Sequence, residues 1–118
     1  MIGERRTHRR YDVWFPVQVD AGHLGNAVGI SKDASAKGLR LDVNADLDIG
    51  APVRVRFRVS AHESAQDVDG TIVRAQHNGP EQGSDWPYQL AVEFDDPQPS
   101  LDERLHSELL HQRPEASA

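Results

Sequence analysis

At 118 residues, 37% hydrophobic and 27% charged, the chain has room for one compact core and no second independent domain. It has no cysteine, which excludes a disulfide framework and a thiolate metal site, and no apolar run approaches the ~20 residues that cross a bilayer. A formal net charge of −6 argues against a nucleic-acid binder that is basic across a whole face, so local positive charge points to a small anion or an acidic patch as its ligand.

Residues 1–12 are polar and cationic, with Arg5, Arg6, His8, Arg9 and Arg10 in one cluster and no helical stripe. Asp12, Gln18 and Asp20 interrupt the apolar residues beyond this cluster, so the basic start is not expected to be a signal peptide. A soluble, cytoplasmic protein is expected. In VWFPVQVD (13–20), Val13, Phe15, Val17 and Val19 alternate with Trp14, Pro16, Gln18 and Asp20, the period of a strand. Pro16 cannot donate to a ladder, which places it at an edge or a bulge. The segment 26–31 reads as a short strand. KDASAKG (32–38) carries Asp, Ser and Gly at turn positions and reads as a loop.

The segment 39–43 alternates again. In VRVRFRV (53–59), Val53, Val55, Phe57 and Val59 point one way and Arg54, Arg56 and Arg58 the other. The arginines read as a solvated strand face, with a polyanion site as the lesser alternative. Next come a strand over 68–76, a loop over 77–87 and a strand over 88–94. Ser100 and Glu103 form an S-x-x-E capping box that starts a helix at Leu101. Leu101, Leu105 and Leu109, with Leu110 beside them, give that helix one apolar stripe. Six short strands separated by turns predict an antiparallel β-barrel or sandwich, and a closed barrel removes exposed edges.

Two motifs carry the chemistry. One is Arg6-x-x-x-Arg10, with Arg5 just before it; the other is Asp33-x-Ser35-x-x-Gly38. In an antiparallel fold, a segment preceding the first strand lies within reach of the connection between the second and third, so the two motifs can form one site. A guanidinium fork matches phosphate oxygens and the O6/N7 edge of guanine. The Asp33 carboxylate suits the N1–H and N2–H₂ donors of guanine, and the Ser35 hydroxyl donates or accepts. Gly38 permits a positive φ or a close backbone approach to a ligand. Together these residues describe a site for a guanine nucleotide bearing phosphates. The histidines His8, His23, His62, His77, His106 and His111 are scattered and suggest no metal site. Neither G-x-S-x-G nor a P-loop occurs, and no enzyme is expected.

The segments RRTHRRYDVWFPV and DASAKGLRL, with DGTIVRA (69–75) and QLAVEF (89–94), make the chain resemble the PilZ domain family, bacterial receptors for cyclic di-GMP. The resemblance covers roughly residues 4–110. It implies a six-stranded antiparallel β-barrel with one C-terminal α-helix. The implied layout is a flexible arginine-rich arm (1–12), a barrel domain (13–112) with its helix at about 101–111, and a disordered tail (113–118). It further implies that Arg5, Arg6 and Arg10 contact phosphates and guanine edges, that Asp33 and Ser35 contact guanine, that Gly38 shapes the loop, and that Arg74 stacks on a base. Arg9 has no role in the pattern, and Ala91 stands where glycine is frequent. The function implied is a cyclic di-GMP receptor or adaptor, without cofactor, that changes conformation on binding and signals to an unidentified downstream protein. Nucleic-acid binding and membrane insertion are not expected. The alternative is a PilZ-like protein–protein adaptor that binds no nucleotide.

Overall fold

Alternating apolar residues carry the middle of the chain into β1 (Pro16–Asp20), β2 (Asn26–Ser35), β3 (Gly38–Val43), β4 (Pro52–Phe57), β5 (Gln66–His77) and β6 (Tyr88–Phe94). The computed structural model describes residues 9–79 and 85–112. The expected tail, most of the expected arm and part of the expected 77–87 loop lie outside the described residues. The strands close into an antiparallel barrel in the order β1-β2-β3-β6-β5-β4, and one helix, α1 (Pro99–Gln112), comes after them. The fold is therefore mainly β, the six-stranded barrel with a C-terminal helix that the sequence implies.

One face of each strand fills the barrel. Val17, Val19, Leu39, Leu41, Val43, Val55, Ile72, Leu90 and Val92 are buried. Phe15, Phe57 and Phe94 stack in a row, with ring centroids 5.3 and 6.4 Å apart. From α1, Leu101 and Leu105 join the same core and are fully buried, each contributing about 1.5–3 kcal/mol by burial. Leu109 is half-buried against the core, but Leu110 is 58% exposed and does not belong to the stripe.

The strand borders depart from the alternation for identifiable reasons. Val13–Phe15 continues the in-out pattern, yet the ladder starts only at Pro16. Side chains serve the backbone before it. The Ser31 hydroxyl accepts from the Phe15 N–H (3.0 Å) and donates to the Val13 carbonyl (2.5 Å). The Gln112 amide accepts from the Trp14 N–H (2.9 Å) and donates to the Trp14 carbonyl (2.8 Å), as a neighbouring strand would. Pro16 lies at no edge or bulge. It is the first residue of its strand, where its missing N–H is tolerated.

β2 runs on through Ser35, so most of the segment expected as a loop is strand. A bulge between Ser31 and Asp33 moves the inward set from Ala27 and Ser31 to Ala34 and so breaks the alternation. A second bulge, between Ile72 and Arg74 in β5, does the same there. The helix begins at Pro99, whose absent N–H the first turn does not need. Ser100 therefore falls inside the first turn rather than ahead of it as a cap. On β4 the outward arginines face solvent as expected, and two are paired across the ladder, Arg54 with Asp69 (2.9 Å) and Arg56 with Asp67 (3.1 Å).

Candidate functional site

The D-x-S-x-x-G motif is a tight hairpin. Ser35 pairs with Gly38, Ala34 with Leu39 and Asp33 with Arg40, leaving Ala36 and Lys37 as the turn. Ser35 is buried, and its hydroxyl accepts from the Lys37 N–H (3.0 Å), which fixes the turn. Gly38 does not have a positive φ, and its close approach is not to open space. A Cβ there would stand 2.3 Å from the carbonyl oxygen of Val92, so the glycine lets β3 press against β6. Of the two roles expected for this glycine, a positive φ is absent, and the close backbone approach seen here is to β6.

Asp33 sits just beyond the β2 bulge, with its side chain 7% exposed. A carboxylate so desolvated needs compensating charge, and two arginines supply it. Arg10 reaches Oδ1 through Nε (2.9 Å) and Nη2 (2.8 Å). Arg40 reaches Oδ2 through Nε (2.8 Å) and Nη2 (2.6 Å). The Asp33 hydrogen bond also holds the Arg40 guanidinium above its ordinary pKa, so Arg40 stays charged throughout the accessible pH range.

Arg10 reaches Asp33 because the next residue is anchored. Tyr11 and Ala34 exchange backbone hydrogen bonds of 2.8 and 3.0 Å. The Tyr11 ring is buried in the core, its hydroxyl donates to Asp102 of α1 (3.2 Å), and it meets His106 edge-on at 5.8 Å. Burial first, and then the Asp102 bond and charge, push the Tyr11 phenol pKa up. Arg9, left without a role by the sequence pattern, lies 5.8 Å over the Tyr11 ring. Residues 9–12, expected within a flexible arm, are thus seated against the barrel.

Beside this clamp the outer face of β3, β6 and β5 forms an open groove of about 530 Å³, whose walls include Arg10, Lys37, Gly38, Arg40, Arg74 and Glu93. Ala91 pairs with Arg40 on one side and Arg74 on the other, so its small side chain floors the space between two guanidinium-bearing strands. The β5 bulge places Val73 and Arg74 in succession on this outer face, both exposed. Four cations (Arg10, Lys37, Arg40 and Arg74) meet one carboxylate, Glu93, along the walls. The groove favours an anion, although the chain as a whole is acidic.

Of the residues singled out in the sequence, Arg10, Asp33, Gly38 and Arg74 gather at this groove, and Ser35 ends β2 opposite Gly38. Arg5 and Arg6 lie outside the described residues. Sequence reasoning missed Arg40, Lys37 and Glu93. A signal for Arg40 was present: a hairpin turning at Ala36–Lys37 sets Asp33 directly opposite it. Reading 32–38 as a loop concealed that pair.

Comparison with solved structures finds the same fold. The Bacillus subtilis inhibitor of motility MotI/DgrA matches at 18% identity and a TM-score of 0.70, over 93% of this chain and 54% of that one. The PilZ domain of YcgR from Escherichia coli with c-di-GMP matches at 13% and 0.67, over 96% and 95%. The K. pneumonia MrkH–c-di-GMP complex matches at 18% and 0.66, over 98% and 56%. The chain thus spans about half the length of MotI/DgrA and of MrkH, and nearly all of the isolated YcgR domain. No curated protein matches. The PilZ domain model matches residues 4–111, nearly the whole length, and the chain belongs to the PilZ domain family.

Proposed function

We propose that the chain is a bacterial, cytoplasmic cyclic di-GMP receptor that exchanges ion pairs on binding and passes the change to a downstream protein. The observation that carries this reading is Asp33, a buried carboxylate held by two half-exposed arginines at the rim of a cation-lined groove. The cyclic dinucleotide brings two phosphate charges and two guanines. Arg10, 44% exposed at its side chain, leaves Asp33 for a phosphate or the O6/N7 edge of guanine, which it meets bidentately. The vacated Oδ1 then accepts N1–H and N2–H₂ of guanine, while Arg40 stays on Oδ2 and still pairs with the buried carboxylate. Arg5 and Arg6 join Arg10 on the phosphates, the Ser35 hydroxyl supports the guanine contact, Gly38 keeps the hairpin tight against β6, and Arg74 stacks its guanidinium plane on a base. No catalytic step, cofactor, metal or nucleic acid enters this reading.

The signal leaves through Tyr11. Movement of Arg10 pulls on the residue that binds Asp102 and touches His106 on α1. Three residues on, the Trp14 backbone is tied to Gln112 at the other end of the same helix. Ligand and helix are thereby joined by one short stretch of chain. Calorimetry with cyclic di-GMP on the wild type and Arg10→Ala tests the exchange. The variant should lose roughly 1.5–3 kcal/mol or more of binding, at least one charge-assisted hydrogen bond. Wild-type affinity in the variant would remove Arg10 from the site.

A further inference from the structure

Glu93 is a carboxylate in a groove otherwise suited to anions. It is exposed and lines the groove beside Gly38. Among the described residues no ion pair or hydrogen bond engages its side chain. Lys37 shares the wall without closing an ion pair on it. For an anionic ligand such a carboxylate is a liability, since like charges repel, unless it meets hydrogen-bond donors on that ligand. Its surroundings leave space for a flat group. Gly38 is its partner on β3 and Thr71 its partner on β5. Gly38 therefore puts no side chain beside it, and a Cβ there would collide with β6.

We infer that Glu93 is a specificity-determining residue that reads the N1–H and N2–H₂ edge of a guanine, a second reading position beside Asp33. The inference rests on the cyclic di-GMP reading of the groove and deepens it. Asp33 lies on β2 and Glu93 on β6, with β3 between them. Their partners on β3, Arg40 and Gly38, are two residues apart. Ladder spacing and strand rise put the Asp33 and Glu93 backbones about 12 Å apart, so the two carboxylates face different parts of the groove. A ligand with two identical bases and two separate carboxylates to meet them is a consistent match. A carboxylate accepts from both donors of guanine at once, and adenine, with an N1 acceptor, offers no such pair.

The test compares Glu93→Gln with the wild type, full chain, by calorimetry against cyclic di-GMP and cyclic di-IMP, whose base keeps O6 and N1–H but lacks the 2-amino group. Thermal melts check that the exposed substitution leaves the fold intact. The sign is diagnostic. If Glu93 acts only through its charge, its neutralisation tightens an anion. If it reads guanine, Glu93→Gln weakens cyclic di-GMP by about tenfold, the loss of one charge-assisted hydrogen bond, and narrows the wild-type preference over cyclic di-IMP. Equal or tighter cyclic di-GMP binding by Glu93→Gln overturns the inference and leaves the receptor reading standing. Failure of the wild type to bind cyclic di-GMP overturns both.

Discussion

Replacing Arg40 by alanine tests whether the Asp33 clamp is a working part of the groove. The substitution leaves a carboxylate whose side chain is 7% exposed with Arg10 as its remaining guanidinium partner. Removing one partner of a fully buried pair costs about 3–5 kcal/mol. Here the arginine side chains are 42% and 44% exposed, so water screens part of the loss, and a free-state destabilisation of about 1–2 kcal/mol is expected. For a domain of this size that lowers the melting temperature by roughly 4–8 °C. Asp33→Ala/Arg40→Ala should be less destabilised than the sum of the single variants, because removing the carboxylate removes the stranded charge.

Binding should suffer separately. Without Arg40, Arg10 cannot leave Asp33 for the ligand without abandoning a desolvated charge, so cyclic di-GMP affinity should fall by roughly 1.5–3 kcal/mol. Arg40→Lys should rescue only part of it, because an ammonium lacks the planar fork. Denaturant melts and calorimetry on the four variants (Arg40→Ala, Asp33→Ala, their double and Arg40→Lys) give both quantities. An Arg40→Ala protein with wild-type melting and wild-type affinity would refute the reasoning.

Gly38→Ala should be destabilised by about 1–3 kcal/mol, the usual cost of overpacking, because its Cβ would meet the Val92 carbonyl oxygen at 2.3 Å; a chemical melt reads it. Tyr11→Phe keeps the buried ring and loses the bond to Asp102, so a stability loss of about 0.5–1.5 kcal/mol is expected, with the Tyr11 and Ala34 amides still slow to exchange. Glu63 is held below its ordinary pKa of 4.5, first by its hydrogen bond to Arg104 of α1. That pair stabilises the fold fully above the unfolded value and is lost as pH falls through the folded one. The wild type should therefore exceed Glu63→Gln by about 1 kcal/mol near neutral pH, and the gap should close as Glu63 protonates in acid; a gap unchanged from neutral pH into acid would contradict this.

Much of the barrel was legible because one face of each strand is buried and the other wet. The alternation in 53–59 and 88–94 translates directly into β4 and β6 with their inward faces correct. It failed at two places, the β2 bulge before Asp33 and the β5 bulge before Arg74. An added residue shifts the parity of everything beyond it, and no periodicity reading spans such a shift. Both irregularities flank the groove, so the site is where the pattern is hardest to read. Motif chemistry singled out Arg10, Asp33 and Gly38, and the family resemblance Arg74, whereas Arg40 required the hairpin register. Glu93 looked like any outward strand residue until the closed barrel brought β6 beside Gly38. The Gln112–Trp14 contact joins residues 98 apart and has no local signal at all. The capping box at Ser100 was a local signal that lost to Pro99, which begins the helix two residues before the expected Leu101.

The most direct test of the receptor reading is a side-by-side calorimetric titration of the chain with cyclic di-GMP and cyclic di-AMP at several salt concentrations. The two ligands carry the same phosphates, so charge alone cannot separate them. Adenine lacks the O6 acceptor and the N1–H donor that the arginines and Asp33 are proposed to read. The account predicts saturable cyclic di-GMP binding that weakens with salt and exceeds cyclic di-AMP binding by at least about 100-fold, the discrimination of one or two bidentate base contacts. Equal affinity for the two dinucleotides, or no binding of either, would contradict it.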